Sequence, residues 1–147
     1  MNATVFVDTN VLVYALDAAA GDRHVQARTW MDALWASQRG RVSTQVLQEF
    51  YVTTTRKLRP GLSADEAQRE VRALTAWSPL EIGMTTMERA CHVEQRYQFS
   101  WWDALIVASA QASGCRYLLT EDLQHGQDLD GLLVCSPFRM TPDALSG

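Results

Sequence analysis

Four acidic residues in distant parts of the chain, Asp8, Glu49, Asp103 and Asp122, have the chemistry to hold a doubly charged cation if folding gathers them. Each also has an ordinary explanation when taken alone. Asp8 follows the apolar run Val5–Val7 and precedes Thr9 and Asn10, where an Asp commonly forms a turn or caps a helix. Glu49 alone reads as a solvated helix residue. Ser100-Trp101-Trp102-Asp103 has the spacing of a capping box, with Asp in place of Glu. Asp122, with Glu121 beside it, alone reads as a turn acid. Gathered, the four would repel one another: at roughly 5 Å and an effective dielectric near 20, each pair costs about 3 kcal/mol. Protonation or a cation must offset that cost. Carboxylates with no His or Cys among them suit a hard ion, Mg²⁺ or Mn²⁺. One or two such ions can hold a phosphodiester, generate an attacking hydroxide and stabilise the leaving oxygen.

The elements that must position these acids are legible in the pattern. Val5–Val7 is strand 1, followed by a short helix over residues 10–16. A helix opens at Asp22, carries Ala27, Trp30, Leu34 and Trp35 on one face, and ends near Gly40. Strand 2 spans 41–44. A third helix starts at Gln45 with Val46, Leu47, Phe50 and Tyr51, and stops before Pro60-Gly61. Ser63 and Glu66 form a capping box for a helix with Ala67, Val71 and Leu74 on its apolar face. Ser78-Pro79 breaks that helix, and residues 80–82 form a weak strand 3. Helices over 86–97 and 100–112 follow, the second closed by Gly114. Tyr117–Leu119 is strand 4 and Leu132–Cys135 strand 5. Residues 138–147 read as an irregular tail.

Strands separated by helices imply an α/β fold with a parallel sheet of about five strands, a three-layer α/β/α sandwich over residues 1–147 as one domain. Strand C-termini and helix N-termini then share one sheet edge, where open α/β sheets bind ligands. All four acids belong to that edge by topology. The strand order that would bring them close is not fixed by these patterns.

Composition narrows the function classes. The chain has 147 residues, 47% hydrophobic and 20% charged, the balance of a soluble globular protein. The formal net charge of −4 argues against a broad phosphate-binding face, leaving room for a local Arg-lined groove around an acidic centre. Cys91, Cys115 and Cys135 form no C-x-x-C pair and read as buried free thiols; His24, His92 and His125 lack metal-ligand spacing. No segment reaches the roughly 18 apolar residues of a membrane span, and the start lacks the basic and apolar regions of a signal peptide. A cytoplasmic protein with no membrane partner is expected.

The acidic stretches, in order and at this spacing, resemble the PIN-domain ribonucleases, specifically toxins of the VapC type from bacterial toxin–antitoxin pairs. The matching segments are "VFVDTNVLVYALD" at the start, "STQVLQEFY" at 43–51, "FSWWDALIVASA" at 99–110, "LLTEDLQHG" at 118–126 and "VCSPF" at 134–138. Ser136 stands where that family is expected to carry Asn. The resemblance implies strand order 3-2-1-4-5, which makes strands 2, 1 and 4 neighbours. It implies that Asp8, Glu49, Asp103 and Asp122 are the catalytic acids. Asp8 and Asp103 would contact Mg²⁺ or Mn²⁺ directly, with Glu49 and Asp122 doing so directly or through water. Thr9, Asn10 and Thr120 would orient them. Glu121 competes with Asp122 for the fourth place. It also implies an RNA substrate, a cognate antitoxin and a homodimer.

Trp101 and Trp102 read first as core or dimer packing residues, with base stacking by one of them as the alternative. Arg56, Lys57 and Arg59 suit a helix C-terminus or a path for RNA. A catalytically inert PIN-like binding module has the same acids but no turnover. A haloacid-dehalogenase-like phosphatase needs a second Asp two residues after Asp8, where Asn10 stands, and a placed Lys, whereas Lys57 is the only lysine. No glycine-rich nucleotide loop follows strand 1.

Overall fold

The computed structural model describes residues 3–145. Three short strands run parallel side by side: β2 (Gly40–Arg41) at one edge of the sheet, then β1 (Val5–Val7) and β3 (Tyr117–Leu119) inside it. The order across the sheet is β2-β1-β3-β5-β4, where β5 is Leu132–Cys135 and β4 is Asp128–Leu129. β1 pairs parallel with β2 on one side and β3 on the other, and β3 pairs parallel with β5. β4 runs antiparallel to β5. Every residue of β1 and β3 is buried, which explains their unbroken apolar runs: a central parallel strand is covered on both faces.

Helices complete the three layers. The first, α1 (Thr9–Leu16), leaves β1 directly and packs against α2 (Asp22–Ser37). Next come α3 (Thr44–Val52) and α4 (Ala64–Leu74). α5 (Met84–Tyr97) packs against α6 (Trp101–Ala112), whose small residues Ala104, Ala108 and Ala110 are fully buried. The main core joins Phe6, Trp30, Val46, Phe50, Trp77, Leu118 and Val134. The chain steps from β1 to β2 in one direction, then crosses β1 to place β3 on its other side. β1 and β3 therefore flank the point where the winding reverses, the usual site of a ligand crevice in such sheets.

The expected strand order reappears with three local corrections. Strand 2 ends at Arg41 rather than residue 44, because Ser43 turns out of the sheet and its side chain accepts from Val46 N to cap α3. The expected strand 3 shrinks to a single parallel bridge between Ser43 and Leu80. The antiparallel β4, absent from the expectation, is two residues long and joined to β5 by a turn with Asp130 and Gly131 at positive φ. The expected buried thiols hold for Cys115 and Cys135, whereas Cys91 is exposed. The tail contains one 3₁₀ turn, Pro142–Ala144, and its Met140 carbonyl, with that of Pro137 just before it, accepts from the indole of buried Trp30 at 3.1 Å each. Residues 146–147 of the expected tail, like residues 1–2, lie outside the described residues. Among the described residues no helix is long and apolar enough to cross a membrane.

Candidate active site

Asp8 leaves β1 in extended conformation and caps α1. Its Oδ1 accepts from Thr9 N at 2.7 Å and its Oδ2 from Thr120 Oγ1 at 2.8 Å. The side chain is only 7% exposed. Burial, outweighing those two hydrogen bonds, pushes the carboxyl from 3.8 up to about 7, and the charges of Asp122 and Glu49 add to the rise. The cap and the site are thus one residue, so the ordinary explanation of Asp8 does not compete with the chemical one.

The other three acids reach the same place from separate elements. Glu49 lies in the second turn of α3, where its Oε1 accepts from Thr9 Oγ1 at 2.9 Å. Thr9 therefore touches one acid through its amide and another through its hydroxyl. Asp103 lies in the first turn of α6. The Ser100 hydroxyl accepts from Asp103 N at 3.2 Å, but the reciprocal bond, from Ser100 N to the Asp103 carboxylate, does not form. The capping box is therefore half made, unlike the complete one at Ser63 and Glu66. The Asp103 carboxylate is left to the cleft. Asp122 follows β3; its Oδ2 accepts from Asn10 Nδ2 at 3.1 Å, and its amide donates to Thr120 Oγ1 at the same distance. Partial burial and the charges of Asp103, Glu121 and Glu49 raise the Asp122 carboxyl.

Glu121 points elsewhere. Tyr14 donates to its Oε1 at 2.6 Å and Arg23 pairs with its Oε2 at 3.4 Å. The bond to Glu121 also raises the Tyr14 phenol. Arg23 in turn sits 5.1 Å from the Phe138 ring centroid, and Phe138 meets Tyr14 edge-on.

Asp8, Glu49, Asp103 and Asp122 all line a single cleft of about 920 Å³. Among the described residues none of the four is in an ion pair, and no three Asp, Glu, His or Cys side chains converge tightly enough to form a ready-made metal cage. The donor set still suits a hard cation. Its four acids offer only oxygen donors, burial first and neighbouring carboxylates second raise the carboxyls of Asp8 and Asp122, and Asn10 Oδ1 is buried beside them without a partner among the described residues. Closing a cage around an ion requires these side chains to turn inward.

The cleft includes Gln45, which the sequence did not mark, and Lys57 and Trp102, which it did. Gln45 is buried on its wall, donates to the Trp102 carbonyl at 3.5 Å, and leaves its Oε1 without a partner. No sequence signal distinguishes it from a core-facing polar residue of α3. Lys57 also lines the cleft, brought there by a π-helical turn (Thr53–Lys57) that extends α3. Trp101 packs beside Ala90, Leu105 and Ala108, as a packing residue should, whereas Trp102 is 61% exposed at the cleft.

The PIN-domain family profile matches residues 5–127, most of the chain and all four acids. The chain belongs to the PIN-domain family. No curated relative matches it. Among solved structures, this PIN domain resembles a toxin–antitoxin complex from Klebsiella pneumoniae at 25% identity and a TM-score of 0.66, covering 93% of this chain and 100% of that one. It resembles VapC20 of Mycobacterium tuberculosis, described as a toxin that cleaves the sarcin–ricin loop, at 26% identity and a TM-score of 0.61, covering 78% of this chain and 87% of the other. It shares its fold with FitAB bound to a DNA fragment, at 14% identity and a TM-score of 0.69 over 93% and 97% of the two chains.

Proposed function

We propose that this PIN domain is a metal-dependent endoribonuclease, the toxin of a type II toxin–antitoxin pair. The observation that carries the reading is the convergence on one cleft, at the winding reversal, of four carboxylates that make no ion pair among the described residues, with Asp8 pushed up to about 7 by burial. The likeness to VapC20, an RNA-cleaving toxin, supports RNA as the substrate. The likeness to a toxin–antitoxin complex supports a protein partner that silences the enzyme. A cytoplasmic homodimer completes the proposal.

Asp8 and Asp103 would hold Mg²⁺ or Mn²⁺, with Glu49 and Asp122 contributing directly or through water. When bound, the ion supplies charge neutralisation at the phosphoryl oxygens and a water of lowered pKa. The remaining work falls to this chain. Thr9 and Thr120 fix the Asp8 carboxylate from both sides, and Thr9 also aims Glu49. Asn10 aims Asp122. Held at the cleft by Asn10, Asp122 is placed to accept a proton from the attacking water. Lys57 offers its ammonium to an adjacent phosphate.

The test is cleavage of cellular RNA by purified protein with Mn²⁺, with 5′-end sequencing after brief induction. Asp103→Asn is expected to abolish the cleavage and to remove Mn²⁺ binding in calorimetry while the circular dichroism spectrum stays unchanged. Calorimetric ion binding by the parent without cleavage of any RNA would instead mean an inert binding module.

A further inference from the structure

We propose that Trp102 is a base-stacking platform and Lys57 its companion phosphate contact, so that the cleft accepts an unpaired nucleotide. The inference rests on the nuclease reading above and specifies how that site engages its substrate.

Trp102 is 61% exposed, the most exposed aromatic side chain beside the site. The other tryptophans are accounted for by packing. Trp30 and Trp77 are fully buried, Trp35 lies against Trp77 at 4.8 Å between centroids, and Trp101 packs in a small apolar cluster. Tyr14, the other aromatic residue on the cleft, is engaged by Phe138 and Glu121. Trp102 meets no other ring and no cation among the described residues. It immediately precedes Asp103, so whatever rests on its ring lies next to the acids. Gln45 ties the Trp102 backbone to α3, which carries Glu49. An exposed indole anchored in this way can offer a flat apolar face to any base, because every base has a π face.

The charge pattern selects a nucleotide over an apolar peptide. Lys57 is the chain's only lysine, and it lines a cleft whose other charged groups are all acidic. It makes no ion pair among the described residues. Its position depends on the π-turn, closed by Leu58 N donating to Thr53 O at 2.9 Å. The chain then passes so close to itself that a Cβ on Gly61 would lie 2.6 Å from Thr54 O and 2.8 Å from Leu58 O. A built turn thus carries a free cation to the cleft that holds the acids and the ring. A base in a duplex cannot lie flat on Trp102 without leaving its stack, so the substrate segment must be single-stranded or looped.

The experiment uses the full chain carrying Asp8→Asn to prevent cleavage. Binding of a labelled single-stranded RNA hexamer is followed by fluorescence anisotropy, alongside the same hexamer with abasic riboses and its duplex. Adding Trp102→Ala is expected to weaken hexamer binding about 5- to 150-fold, with Trp102→Phe recovering most of the loss. The abasic hexamer and the duplex should bind weakly and ignore Trp102→Ala. Lys57→Gln should lower the slope of log affinity against log salt by about one. Equal hexamer affinities with and without Trp102, or an abasic hexamer that still responds to Trp102→Ala, would overturn the platform. If the unsubstituted protein cleaves RNA while Trp102→Ala changes nothing, the platform fails and the nuclease reading stands. If hexamer binding depends on Trp102 but no RNA is ever cut, the platform stands and the nuclease reading fails.

Discussion

Thr120 and Asp8 are joined by a hydrogen bond of 2.8 Å from Thr120 Oγ1 to Asp8 Oδ2, across the adjacent ends of β3 and β1. The same hydroxyl accepts from Asp122 N at 3.1 Å. One side chain therefore couples the acid after β1 to the acid after β3. Neighbours that orient a metal ligand commonly contribute 10- to 100-fold in affinity or activity. Thr120→Val, which keeps the shape and removes the hydroxyl, is expected to weaken Mn²⁺ binding by about that factor, with Thr120→Ser restoring it. Titration calorimetry measures the effect. A Thr120→Val protein that binds Mn²⁺ like the parent would mean that the hydroxyl serves the turn alone.

The raised Asp8 carboxyl makes stability depend on pH in a definite direction. Its value is about 7 when folded, against 3.8 for a free side chain. Between those values the folded chain holds a proton that the unfolded chain has released, so stability falls as pH rises from about 4 to about 7. Above about 7 the penalty is complete, because the buried group is ionised in both states. Metal-free Asp8→Asn, which cannot ionise, is expected to outlast the parent in urea at pH 8 by about 1–3 kcal/mol. That advantage should vanish near pH 4. Cation binding should strengthen as pH rises through about 7, since the ion must displace the proton. Urea melts at the two pH values decide the first point, and proton release during Mn²⁺ titration decides the second.

Glu121 and Asp122 are neighbours with different surroundings. Tyr14 and Arg23 hold Glu121, whereas Asn10 holds Asp122 at the cleft. Asp122→Asn is therefore expected to reduce RNA cleavage at least about tenfold, by analogy with other ligand-orienting losses, while Glu121→Gln leaves it near the parent rate. The reverse ranking in a cleavage assay would make Glu121 the fourth acid.

Much of this arrangement was legible because it rests on local signals. Val5–Val7 and Tyr117–Leu119 are apolar on both faces, Ser63 and Ser100 carry caps, and the acids fall at strand ends and in early helix turns. The paired alternatives Glu121 and Asp122 were not separable, because their difference lies in Tyr14 and Arg23, about a hundred positions away in the chain. Residues 80–82 read as a strand, yet only Leu80 pairs, in a single bridge to Ser43. β4 was missed because two residues carry no periodicity. Lys57 reads as a helix-end cation or an RNA contact, but a π-turn is not visible in composition, so its place on the cleft emerges only in the fold.

Gly40 separates the scaffold from the site. It pairs with Val5 in the sheet, and a Cβ there would fall 2.6 Å from three atoms of the Trp77 ring. That ring is fully buried and lies against Trp35, so it cannot swing away cheaply. Gly40→Ala is expected to destabilise the fold by about 1–3 kcal/mol through overpacking. Adding Trp77→Leu should remove part of that loss, so the double substitution costs less than the sum of the two. Asp8 lies three residues beyond Val5, roughly 10 Å along the strand, so Mn²⁺ affinity of the folded Gly40→Ala protein should match the parent. Urea denaturation measures the first effect and calorimetry below the unfolding transition the second. A large loss of ion affinity without loss of stability would mean that the register of β1 on β2 aims Asp8 directly.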